Sequence, residues 1–285
     1  MLLAGEPVEV PAWAHLSGLD VEDTFSLTTP LGELRALSKD RARVSRPQSA
    51  PRLELRTTFP LTVEIPYDLT RGPYPEVLLA AREFQRRIDH VRLAVLLALD
   101  RPEPIGLHVA AREISDPLSL ASLSWPWFVP PFTVPLEDGD QHRIGVWAER
   151  IAAHHDPSIE LATRRALAAA TVGRESEDRL IDAVIALENL VGVGAGQRPA
   201  AAFRNGVAAL LSDDDIERDR YRDRAEVIYK ARSDIVHGRH EHPIQELETL
   251  RVEALQMLLQ GLRRLCAELP HLIADRRRGR TLTAP

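Results

Sequence analysis

Apolar residues alternate with polar ones in parts of the chain before residue 140, and recur at spacings of three and four through most of it afterwards. Residues 53–57 (LELRT) and 61–65 (LTVEI) alternate as half-buried strands do. Residues 8–10, 25–27 and 106–114 are further strand candidates. Pro75 suits the first position of a helix that runs to residue 99 on Val77, Leu78, Ala81, Phe84, Ile88, Val91 and Val95. Pro102 stops it.

The later pattern predicts helices throughout. Asp156 followed by Pro157 reads as an N-cap with proline next to it, ahead of a stripe of Ile159, Ala162, Ala166 and Ala170. Ser176 reads as the cap of a helix carrying Leu180, Val184, Leu187 and Val191, beside Ile181 and Ile185. The glycines of GVGAG, residues 192–196, stop it. Pro199 opens a short helix bearing Phe203, Val207, Leu210 and Leu211. Ser212 with Asp215 resembles a capping box for a helix with Ala225, Ile228, Tyr229 and Val236, which Gly238 ends. A last helix from residue 243 to about 269 carries Leu247, Leu250, Ala254, Leu258, Leu262, Leu265 and Leu269. This is a four- or five-helix bundle with one core.

Sixteen of the 21 prolines precede residue 136, so the two halves cannot share an architecture. The expected fold is an α+β region over residues 1–138, an all-α bundle over 139–272 and a basic, disordered tail over 273–285. WPWFVPPF, residues 125–132, reads either as a packed connector or as the lining of a ligand groove.

A net charge of −6 argues against a protein that coats duplex nucleic acid, while leaving room for a local basic site. The single cysteine, Cys266, suits a reducing cytoplasm. The first ten residues do not read as a signal peptide. No apolar run is long enough for a membrane span, the best candidate being residues 91–99 with Arg92 inside it. The expectation is therefore a cytoplasmic protein with no membrane partner.

The segment IYKARSDIVHGR, residues 228–239, holds the most informative chemistry. Arg232 lies four residues after Ile228 and three after Tyr229, on the apolar stripe of its own helix. An arginine there needs a partner or a function, because an unpaired buried charge is costly. His237 precedes Gly238, among free carbonyls at the negative end of the helix. A histidine can exchange protons near neutral pH, and a guanidinium can hold a phosphate by two hydrogen bonds. The same residues also allow a bland account, in which Arg232 binds a carboxylate such as Glu188 and His237 caps carbonyls. Glu188 shares the inward face of its helix and reads as a structural ion-pair partner or as a member of the site. His237, His240, His242 and Glu241 resemble a zinc cluster, with His154, His155 and Asp156 as distant candidates, but no clear fourth ligand follows. GVGAG follows a helix and lacks dinucleotide spacing. Arg276, Arg277, Arg278 and Arg280 read as a solvated tail or as contacts to RNA phosphates. Neither a cofactor nor a metal is expected.

RSDIVH, residues 232–237, matches the R-polar-x3-5-H motif of HEPN domains. Residues 164–192 (RRALAAATVGRESEDRLIDAVIALENLVG) and YKARSDIVHG resemble the ApeA-like HEPN subgroup in particular, over about residues 140–270. GVGAG departs from the longer acidic insert common there. The resemblance implies an all-α bundle that dimerises and brings two motifs into one cleft. It implies a metal-independent endoribonuclease acting on RNA, in a toxin or antiphage setting, with an antitoxin or a trigger as further partner. Arg232 would then orient the phosphate, Ser233 would help set the arginine rotamer, and His237 would move protons. Some HEPN proteins only bind nucleotides or partners, and a non-catalytic or purely structural dimerisation module is the alternative. The N-terminal region would then sense a trigger or select substrate.

Overall fold

The alternating segments of the first half build an antiparallel sheet. In this computed structural model, residues 7–37, 53–61, 75–99, 101, 107–114, 133–171, 174–192, 199–239 and 242–284 are described. The first elements are β1 (Val8–Ser17), β2 (Leu19–Asp20), β3 (Ser26–Thr29), β4 (Gly32–Ala36), β5 (Leu53–Leu61), α1 (Pro75–Ala98), β6 (His108–Ile114) and β7 (Val134–Pro135). Five strands order as β3-β4-β5-β1-β6, while β2 and β7 form a separate parallel pair. Two compact units result, one of Met1–Arg92 with Leu107–Glu149, the other of Leu93–Gly106 with Arg150–Pro285.

In the first unit, Val10 faces Phe59, Ala14 faces Leu55 and Leu16 faces Leu53 across β1 and β5. All six are buried, so they share the core face of the sheet. α1 covers that face: Phe84 meets Phe59 edge-on at 5.8 Å, and the Arg87 guanidinium lies 4.5 Å over the Phe59 ring. Two prolines survive inside strands because each lies where its strand has one described neighbour. Pro11 pairs with β5 beyond the reach of β6, and Pro60 pairs with β1 beyond the reach of β4. Strand candidate 61–65 lies almost entirely outside the described residues, as does 125–132.

Glu54 is the one carboxylate buried in this sheet among the described residues, at 2% exposure. It accepts hydrogen bonds from Arg35 Nε (3.0 Å) and Nη2 (2.8 Å) and from Arg56, and faces His15 Nε2 at 3.3 Å. Burial on its own raises such a carboxyl, yet bonds from Arg56, Arg35 and His15 outweigh it and hold Glu54 below its ordinary value.

The second unit is helical: α2 (Asp140–Ala153) leads into it, followed by α3 (Glu160–Ala169), α4 (Ser176–Val191), α5 (Pro199–Leu211), α6 (Asp215–His237), α7 (Ile244–Ala267) and α8 (Arg278–Thr283). Leu247, Leu250, Ala254, Leu258, Leu262 and Leu265 of α7 are buried against α3, α4 and α5. The stripes expected on α3, α4 and α5 are buried likewise, with Ile181 and Ile185 partly exposed. Thus a sheet-bearing region precedes a mostly helical half. The expected division at 138/139 marks where helix begins; packing divides the chain at 149/150, inside α2, and assigns residues 93–106 to the helical unit. There Arg263 Nε donates to the Leu97 carbonyl at 3.0 Å.

Four local expectations are corrected. The tail is not disordered: Pro270–Leu272 forms a 3-10 turn, α8 follows, and Arg278 is 1% exposed. Ser176 is not a cap; Glu175 occupies that position, and the Ser176 hydroxyl bonds Glu248 on α7. Asp214, not Ser212, caps α6, accepting from Glu217 N at 3.0 Å. Val236, expected on the inward stripe, is 48% exposed.

A carboxylate whose folded value is depressed adds stability above its ordinary value, near 4.5 here, and that stability is lost as pH falls through the folded value. Urea midpoints of the sheet unit are therefore expected to drop between about pH 6 and about pH 3. Glu54→Gln should lower the midpoint at the higher pH and flatten the dependence; an unchanged pH slope would show that other carboxylates govern it.

Candidate functional site

α6 is a 23-residue helix whose inward stripe is short. Only Ala225, Ile228 and Ala231 of it are buried. It packs on α5, α4 and α7, and the aromatic ring of Tyr229 meets Phe203 of α5 at 5.0 Å. Arg232 follows one turn later on that face, half-buried, and its Nε is shielded from solvent without a hydrogen-bond partner among the described residues. A shielded, unsatisfied guanidinium N–H is costly and is rare in folded proteins.

Glu188 stands in the last turn of α4, which packs against α6. Burial raises its carboxyl above the ordinary value, and the charge of Arg232 partly offsets that. Burial and Glu188 together push the Tyr229 hydroxyl up, with Arg232 acting against them. The three side chains thus share one electrostatic neighbourhood. No hydrogen bond or ion pair joins Arg232 to Glu188 among the described residues, so the expected bridge is a through-space attraction only. The structure adds Tyr229 to the cluster. Its three-residue spacing to Arg232 was visible in the sequence, whereas its neighbour on α5 was not.

His237 is the last residue of α6 and is exposed. Gly238 closes the helix in the left-handed region at φ 60°, its N–H reaching the Ile235 carbonyl at 3.1 Å, while Arg239 N reaches Asp234 at 2.9 Å. The glycine stop expected from sequence is therefore present. At about 100° per residue, five residues set Arg232 and His237 about 140° apart around one helix. The helix brings both to one end of α6 but not to one face. Ser233 lies beside Arg232, partly exposed, and no hydrogen bond from it to the arginine exists among the described residues.

His242 lies 3.6 Å from Glu246, while His240 and Glu241 fall outside the described residues. Among the described residues no group of three or more His, Cys, Asp or Glu side chains is arranged to hold a metal ion. Gly192 ends α4 with φ 63°, as expected for a helix stop; residues 193–198 lie outside the described part. No described helix is long and apolar enough to cross a membrane. No protein-family model, curated protein or solved structure matches this chain.

A carboxyl raised in the folded state favours the fold while protonated, and costs stability as pH rises through its range. Glu188→Gln is therefore expected to gain stability relative to the parent chain on going from about pH 4 to about pH 7. Urea midpoints of both proteins at the two pH values test this; a variant that loses ground at the higher pH would mean that the Arg232 attraction exceeds the burial cost.

Proposed function

We propose that the helical unit is a HEPN-type, metal-independent endoribonuclease of the cytoplasm, acting as a homodimer in a toxin or antiphage setting. The observation that carries this reading is Arg232: a half-buried guanidinium, not bridged to a carboxylate among the described residues, five residues ahead of an exposed histidine. The RSDIVH motif has the family's order, and its histidine is the last residue of α6.

In this mechanism the Arg232 guanidinium holds the scissile phosphate and meets the negative charge that builds on its oxygens. The ribose 2′-oxygen attacks phosphorus, and its proton passes to a His237 imidazole. The bond from phosphorus to the 5′-oxygen breaks, and that oxygen takes a proton from an imidazolium. The products are a 2′,3′-cyclic phosphate and a free 5′-hydroxyl. One histidine is poorly suited to both transfers, and one α6 aims Arg232 and His237 about 140° apart. Two copies of α6 facing each other answer both difficulties. Tyr229 and Glu188 then form the inner wall beside Arg232, and Ser233 lies next to it. The sheet-bearing region would sense a trigger or select the RNA.

One observation favours a non-catalytic module instead: the charge of Arg232 already acts on Glu188, as in a structural cluster. Cleavage of total cellular RNA in EDTA separates the two. The parent chain is expected to produce cyclic phosphate ends. Arg232→Ala and His237→Ala should each lower the rate by about 100-fold or more, with the melting temperature of His237→Ala unchanged. An inert parent chain, with Arg232→Ala markedly less heat-stable, would support the structural module.

A further inference from the structure

The last four carbonyls of α4 have no partners within the helix, and this end of α4 is covered by protein. Gly192 N–H reaches the Glu188 and Asn189 carbonyls. The Arg278 guanidinium supplies a donor to Leu190 and a second one to Asn189. Its Nε donates to the Leu190 carbonyl (2.8 Å) and its Nη2 to Asn189 (3.0 Å). Its Nη1 reaches Ser158 Oγ (3.2 Å) and the carbonyls of Ile273 and Leu272. Ser158 Oγ in turn donates to the Ile273 carbonyl at 2.5 Å.

The fit around this arginine is close. A Cβ on Gly192 would lie 2.7 Å from the Arg276 carbonyl oxygen, and one on Gly279 would collide with the Val191 carbonyl. The turn that Arg278 clasps is the turn bearing Glu188. α8 also packs on α5, whose Phe203 ring meets Tyr229. Two routes therefore lead from α8 to the neighbours of Arg232, one through α4 and one through α5.

We infer that Arg278 is a positioning residue for the candidate site, and that residues 270–284 form a latch whose docking on α4 and α5 sets Glu188 and Tyr229 against Arg232. Release of the latch loosens the inner wall of the site without removing any residue from it. The inference rests on Arg232 and its neighbours being the site, and it makes no use of RNA cleavage.

Hydrogen exchange on the full chain tests it, comparing the parent with Arg278→Met and Arg278→Lys. The latch predicts exchange faster by about tenfold in residues 184–192 and 228–237, with 250–262 in α7 still protected. Arg278→Lys, which keeps the charge but not the fork of donors, should lie between. Faster exchange confined to 270–284 and 184–192 would overturn the proposal, as would an equal rise that includes 250–262. Should Arg278→Met fail to fold, Thr281→Ala serves instead; it removes only the exposed bond from Thr281 to Asp275 (2.6 Å) that holds the start of α8. A chain that shows the predicted exchange but cuts no RNA would overturn the ribonuclease reading and leave the latch standing.

Discussion

The helical unit depends on how the end of α4 is satisfied. A helix that stops against other protein must find donors for its terminal carbonyls, since each one left bare costs about 1–3 kcal/mol. Here the donors come from far along the chain, 88 residues for the bond from Arg278 to Leu190 and 89 for that to Asn189. The same turn serves another helix: Asn189 Oδ1 accepts from Ala162 N at 3.1 Å, tying the start of α3 to it. α3, α4 and α8 are therefore fixed by one set of polar contacts, and α5 is held between α4 and α8. The glycines at 192 and 279 follow from this arrangement, because both backbones pass too close to a carbonyl to leave room for a side chain.

Electrostatics at the candidate site follow from the same turn. Glu188 stands in the clasped turn, and burial leaves its carboxyl in a half-buried place that resists ionisation. Arg232 feels that carboxyl without touching it. A contact ion pair would neutralise the guanidinium and occupy its donors; separation leaves it partly compensated and able to bind an anion. A chain with a net charge of −6 offers little general attraction to nucleic acid, so any hold on a phosphate must come from such local placement.

Much of this was legible in the sequence, where structure depends on neighbours along the chain. The period of three and four located α1, α4, α5 and α7, because burial of one helix face is written into consecutive turns. Gly238 and the pair Asp156–Pro157 were legible for the same reason: Asp156 accepts from Ser158 N at 2.7 Å, two residues away. Arg232 stood out because a charge fell on an apolar stripe. Choices made across the fold were hidden. The Ser176 hydroxyl goes to Glu248, 72 residues distant, so its suitability as a cap misled. Arg278 stood in a run of arginines that reads as solvated, and its acceptors are backbone carbonyls, which no residue type announces.

Arg232 and Arg278 show how partners, not residue type, distinguish one withdrawn arginine from another. Both are withdrawn from solvent, and neither is paired with a carboxylate among the described residues. Arg278 directs Nε, Nη1 and Nη2 to acceptors of its own chain, and burial pulls its guanidinium below the ordinary value. Nothing remains on it for a ligand to bind, and extracting it would expose the end of α4. Arg232 is less buried, yet its Nε has no acceptor among the described residues. In the proposed site a phosphate would be met by the terminal nitrogens of Arg232, because its Nε is shielded. The orphaned N–H does not by itself single out α6, since Arg204 Nε on α5 is orphaned in the same way; the six-residue motif is what distinguishes Arg232.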